Sequence, residues 1–177
     1  SQVLYELRGL VTEDESKEQF DDAIERSCLF RNYKEVEGRY LHPRFGTFEK
    51  GARIDRLLIP EESVVESGWK GGPIGVEIKK EKSHLGHAVC QALDYSRCAF
   101  AVRAGFNVVL EWVFLYPFGS PSGDIASAMS QNRNGTCYMD REGRMRFTVC
   151  GQTLMCIGCN NEVEVSPPLM GNKRGSR

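Results

Sequence analysis

No stretch of the chain approaches the roughly 18 apolar residues that a membrane-crossing helix requires, so a membrane partner is not expected. The first residues, Ser-Gln-Val-Leu-Tyr-Glu-Leu-Arg, lack the basic-then-apolar layout of a secretory signal. Excess charge is missing too. Twenty-three basic side chains stand against 24 acidic ones, for a formal charge of −1, whereas nucleic-acid-binding domains tend to be basic. Carboxylates gathered at a metal site would offset a basic groove, so this balance excludes neither class. There is no Gly-x-x-x-x-Gly-Lys-Ser/Thr phosphate loop, which argues against a self-contained ATP-driven helicase. There is no internal repeat. Seven cysteines, an odd number without a secretory signal, predict free thiols in a reducing, cytoplasmic setting rather than a disulfide framework.

What is present amounts to one domain's worth of chain at 177 residues, with an ordinary soluble composition. Thr12 suits an N-cap, with Glu13 to Glu15 opposing the dipole of a first turn. Phe20, Ala23, Ile24, Ser27 and Cys28 follow helical spacing, which predicts a helix over 13–30. Residues 36–59 read as two or three strands, around Arg39–Leu41, Thr47–Glu49 and, most clearly, Ala52–Ile59, which Pro60 ends. Residues 61–72 read as a loop. Apolar positions at Ala88, Ala92, Tyr95, Ala99 and Val102 predict a second helix over 85–104, capped by Gly105. Val108–Tyr116 is β-rich and almost wholly apolar, as in a strand covered on both faces. Beyond Pro117 the expectations are a loop, a short helix over 124–131 and a hairpin over 137–157 turning at Glu142-Gly143. Residues 1–118 thus form the core and 119–177 a C-terminal extension.

The stretch Pro73-Ile74-Gly75-Val76-Glu77-Ile78-Lys79-Lys80 reads as a central strand, with Ile74, Val76 and Ile78 on one side and Glu77 and Lys79 on the other. Asp55 sits mid-strand in a run otherwise apolar or arginine. If the two strands are neighbours, Asp55 and Glu77 can share a Mg²⁺ or Mn²⁺, hard ions that prefer oxygen ligands. The backbone carbonyl of Ile78 offers a further ligand. Gln91 and Tyr95, one helical turn apart, can reach a phosphate or the lysine.

Gly51-x-Arg53-Ile54-Asp55, Glu77-Ile78-Lys79 and Gln91-x-x-x-Tyr95 together resemble the PD-(D/E)xK nuclease superfamily. The Gln-x-x-x-Tyr element is closest to its RecB-like branch. Ile54 stands where that motif carries proline. The resemblance covers residues 13–116 and implies an α/β fold with a restriction-endonuclease-like core: a mixed central sheet flanked by helices, here with a small β-rich C-terminal extension. It also implies metal-dependent hydrolysis of phosphodiester bonds, with DNA as the expected substrate. Asp55 and Glu77 would hold the metal, Lys79 the attacking water or the phosphate charge, and Gln91 and Tyr95 would position the motif or the DNA backbone. A first-helix glutamate would complete the metal site, Glu18 first and Glu25 second. At most one of Arg53 and Arg56 should enter the site, since they face oppositely. Arg53, Lys80, Lys82, Arg97 and Arg103 are placed to grip phosphates, although exposed basic side chains are more often simply solvated.

His84 and His87 lie i to i+3 at a helix start and can face each other, without further zinc ligands nearby; His42 reads as a loop residue. Cys150, Cys156 and Cys159, with Cys137, could supply a zinc site. Cys28 with Cys150, Cys156 and Cys159 also mimics the one-early, three-late cysteine count of certain RecB-like iron–sulfur nucleases, but with the internal spacing reversed. Isolated thiols are the favoured reading of these cysteines. The rival to a nuclease is a catalytically inactive nucleic-acid-binding or interaction module of the same fold, with zinc-stabilised cysteines as a variant.

Overall fold

The computed structural model describes residues 11–41, 51–80, 83–121 and 123–166. The first helix, α1 (Glu13–Ser27), starts as its sequence dictates: Thr12 Oγ1 accepts from the Glu15 N–H at 3.2 Å. Phe20, Ala23 and Ile24 form its buried stripe. It stops three residues before the expected end because Cys28 turns left-handed, φ 59°. That frees Phe30 to open a long strand, β1 (Phe30–Tyr40), antiparallel to β2 (Ala52–Pro60). The expected strand Thr47–Glu49, together with His42 and Lys82, lies outside the described residues.

A short helix, α2 (Glu62–Glu66), occupies the stretch expected to be a loop and buries Val64. Strand β3 (Ile74–Ile78) pairs antiparallel with β2, in the register Leu58↔Ile74 to Arg56↔Val76. Helix α3 (Leu85–Tyr95) ends nine residues before the expected Ala104. Cys98-Ala-Phe-Ala-Val is β-rich, and it folds as β4 (Cys98–Arg103), which pairs with β5 (Phe106–Val109). Gly105, φ 76°, serves the turn between them rather than a helix cap. The apolar run over 108–116 is likewise two strands, β5 and β6 (Trp112–Tyr116), parted at Leu110-Glu111.

After Pro117 come α4 (Gly123–Gln131), β7 (Asn134–Met139), β8 (Met145–Val149), β9 (Gln152–Ile157) and β10 (Val163–Val165). The β7–β8 turn is held by Asp140, whose Oδ1 accepts from the N–H groups of Glu142 and Arg144. All ten strands among the described residues join one sheet in the order β10-β9-β8-β7-β6-β3-β2-β1-β4-β5, with β6 parallel to both β3 and β7 and the remaining pairs antiparallel. The fold is therefore α/β, with a mixed ten-stranded sheet and four helices among the described residues. None of these helices is long and apolar enough to cross a membrane.

Two core layers sandwich the sheet. Beneath α1, Phe20 and Ile24 pack with Leu58, Ile74, Val76, Ile78 and Tyr116. Beneath α3, Ala88, Ala92 and Tyr95 pack with Leu57, Phe100, Val113 and Leu115, and Met129 of α4 joins them. The far end of the chain supports α1: the N–H groups of Asn160 and Asn161 donate to the carbonyls of Arg26 and Ser27, at 2.9 and 2.8 Å. Those carbonyls belong to the last turn of α1, where intrahelical donors run out.

Candidate active site

Strict alternation along β2 would put Asp55 and Leu57 on one face and Ile54, Arg56 and Leu58 on the other. The strand departs from this. Ile54 and Leu57, three apart, both belong to the α3 layer, whereas Leu58 belongs to the α1 layer. Asp55 and Arg56, consecutive, both form ion pairs with α1. Opposite them β1 carries Glu35 at φ 51°, a left-handed conformation that costs a residue with a Cβ about 1 kcal/mol or more. Three cations surround the Glu35 carboxylate: Lys17 at 3.3 Å, Arg53 at 3.3 Å and Arg56 at 3.6 Å.

Continuing the β2–β3 register from Arg56↔Val76 sets Asp55 opposite Glu77. The Asp55 side chain reaches across to β3, where Oδ2 accepts from the Ile78 N–H at 2.8 Å. Its other oxygen lies 3.6 Å from Lys17 Nζ. Glu77, on the strand's α3 side, is 5% exposed. Lys79 follows it on the same face, with Nζ 3.2 Å from Glu77 Oε1. The Tyr95 hydroxyl lies against the Glu77 carboxylate but directs its single proton to the Arg53 carbonyl at 3.1 Å. Among the described residues, Glu77 Oε2 is buried with no hydrogen-bond donor.

Electrostatics follow from this crowding. Burial first, and then the charge of Asp55, push the Glu77 carboxyl up to about 7, against the opposing pull of Tyr95 and Lys79. Burial and the same acids also raise the Tyr95 phenol. Partial burial works against the Lys17 ammonium, yet Asp55 and Glu35 hold it above its ordinary range. No family model, curated protein or solved structure matches this chain. The site is therefore read from its own geometry.

Asp55, Glu77, Lys79 and Tyr95 come together as the spacing of their motifs anticipates. Gln91, one turn before Tyr95, is exposed on the flank of α3. Glu18 and Glu25 do not reach the acids: both are exposed, on the side of α1 opposite its buried stripe at 3.6 residues per turn. The α1 residue beside Asp55 is Lys17 instead. Of the two arginines, Arg56 is buried and held by Asp21 at 2.7 Å, while exposed Arg53 pairs with Glu35. Lys80, Arg97 and Arg103 are exposed.

Lys17, Asp21, Glu35 and Arg56 form a charged network that the motif reading did not anticipate. Helical spacing offers a signal for the first two, since Lys17 and Asp21 border the Phe20–Ile24 stripe. No local signal marks Glu35. The His84 and His87 rings face each other at 5.9 Å, edge to face. Cys28, Cys150 and Cys159 are exposed, whereas Cys137 and Cys156 are buried. Among the described residues no three His, Cys, Asp or Glu side chains group as a metal site.

Proposed function

We propose that the chain is a divalent-metal-dependent nuclease built on a restriction-endonuclease-like core, with DNA as its substrate. The observation that carries this reading is Glu77, a buried carboxylate beside a second acid, with one oxygen that no donor among the described residues satisfies. A buried acid that one lysine only partly compensates is costly, and a cation held between two acids offsets that cost. Two carboxylates also suit Mg²⁺, which retains several waters and relies on substrate phosphates for further ligands. Asp55, Glu77 and the backbone carbonyl of Ile78 would hold the ion. When bound, it would stabilise charge on the phosphoryl oxygens and acidify water. Lys79, anchored on Glu77, supplies a fixed positive charge for the extra negative charge of the transition state. Tyr95 ties α3 to the Arg53 backbone, fixing the strand that carries Asp55 two residues later.

The test is incubation of the chain with linear, circular, branched and single-stranded DNA, and with RNA, with and without Mn²⁺. Cleavage should require Mn²⁺ or Mg²⁺, and Glu77→Ala or Lys79→Ala should abolish it while the circular dichroism spectrum stays native. Unchanged cutting by both variants refutes the assignment. One observation favours a catalytically inactive binding module: Lys17 already sets a positive charge 3.6 Å from Asp55. That reading expects DNA binding without cleavage in any metal.

A further inference from the structure

The two acids differ in how their oxygens are engaged. Glu77 keeps Oε2 without a donor among the described residues, whereas both oxygens of Asp55 have partners. Oδ2 accepts from the Ile78 N–H at 2.8 Å, and Oδ1 faces Lys17 Nζ at 3.6 Å. The first partner is fixed in place. The β2–β3 register ends at Arg56↔Val76, and the Lys79 N–H donates to the Tyr116 carbonyl of β6 at 2.8 Å. Successive N–H groups point to opposite sides of a strand, so that of Ile78 points toward β2 just where the ladder has stopped. The Asp55 carboxylate stands in for the missing strand carbonyl. Ile78 is fully buried, and drawing Asp55 away would leave a buried backbone donor unpaired.

The second partner is loosely held. At 3.6 Å the Lys17 ammonium is outside hydrogen-bond distance of Asp55. It donates instead to Glu35 Oε1 at 3.3 Å and lies 3.5 Å from Glu13 Oε1. Its four-carbon stem is flexible, so it can leave Asp55 and still be neutralised by two acids. A dication bound to Asp55 at about 2.1 Å repels an ammonium already beside that carboxylate. We propose that Lys17 is the resident counter-cation of Asp55 and that a divalent metal takes its place, Lys17 withdrawing onto Glu35 and Glu13. The inference rests on the nuclease reading above and adds to it the control of metal entry. It also gives the Lys17–Asp55 contact a role other than that of a permanent block.

The exchange is tested by Mn²⁺ binding to the full chain without DNA, followed by the electron paramagnetic resonance signal of the free ion at about 0.15 M salt. Lys17→Met keeps the stem and removes the competing charge, and should bind Mn²⁺ about tenfold more tightly than the wild type. Lys34→Met deletes another cation of the network, one that is exposed and pairs with Asp21; it should change the affinity less than about twofold. Glu35→Gln should weaken binding about fivefold, because Lys17 loses its hydrogen-bonded acceptor and settles on Asp55. In the Lys17→Met background the same change should stay within about twofold, whereas a direct attraction of Glu35 for the ion would persist there. Equal Mn²⁺ affinity in Lys17→Met and the wild type, absence of binding in both included, overturns the exchange. So does an equal gain in Lys34→Met, or an effect of Glu35→Gln that survives without Lys17. If Lys17→Met tightens as expected but the wild-type chain cuts DNA in no metal, the exchange stands and the nuclease reading falls. If the wild-type chain cuts and Lys17→Met binds no more tightly, the reverse holds.

Discussion

Glu77→Gln should make the metal-free protein more stable in mild alkali, not less. The Glu77 carboxyl titrates at about 7 in the fold, against 4.5 for a free side chain. Between those values the folded chain keeps a proton that the unfolded chain has released, so stability falls as pH rises across the interval. The full loss, reached above about pH 7, corresponds to about 3 kcal/mol. The substitution removes this loss while nearly preserving the shape of the protonated carboxyl. Urea unfolding of both proteins in EDTA at pH 5.5 and 8.5 isolates the effect, because every other titrating group is shared. The wild type should lose about 2 kcal/mol more than the variant between the two pH values, the rest of the loss having already occurred below pH 5.5. Excess Mn²⁺ should then recover stability for the wild type at pH 8.5 and leave the variant unmoved. Equal pH dependence in the two proteins would falsify the account of Glu77 as a buried, under-satisfied acid.

Arg56→Ala should cost about 3 kcal/mol in urea unfolding, because it strips the buried two-point partner from Asp21; a loss under about 1 kcal/mol contradicts that. Gly135→Ala should cost about 2 kcal/mol, since an added Cβ meets the Thr148 carbonyl and the Phe114 ring. An unchanged unfolding midpoint would mean that the β6-β7-β8 junction is looser than described.

Where local chemistry decided structure, the sequence could be read. Thr12 and the acids after it began α1, and the hairpin at Glu142-Gly143 formed where turn residues broke two apolar runs. The convergence of Asp55 and Glu77 followed from two strands paired as neighbours. The errors arose where two periodicities overlapped. Ala99 and Val102 continue the helical spacing of Ala88, Ala92 and Tyr95, yet the β-rich Cys98–Arg103 segment gains more by pairing with β1 and β5. The assignment of Glu18 failed for another reason. Which side of α1 meets the sheet is set by its apolar stripe, and on that geometry Lys17 borders the site while Glu18 points away. Glu35 could not be anticipated, because a left-handed residue within a strand has no sequence mark unless it is glycine or asparagine.

The position of β6 bears on how the chain comes off the ribosome. Its five residues, Trp-Val-Phe-Leu-Tyr, are all buried, and one of its edges is covered only once β7 has been made. Until then the nascent sheet ends in a bare apolar border, the kind that recruits foreign strands. The helix bearing Lys17, made well before β7, waits for Asn160 and Asn161 to tie off its last turn. Early and late segments must therefore mature together, and a fragment cut near Pro117 should emerge sticky and incompletely folded rather than as a free-standing catalytic unit.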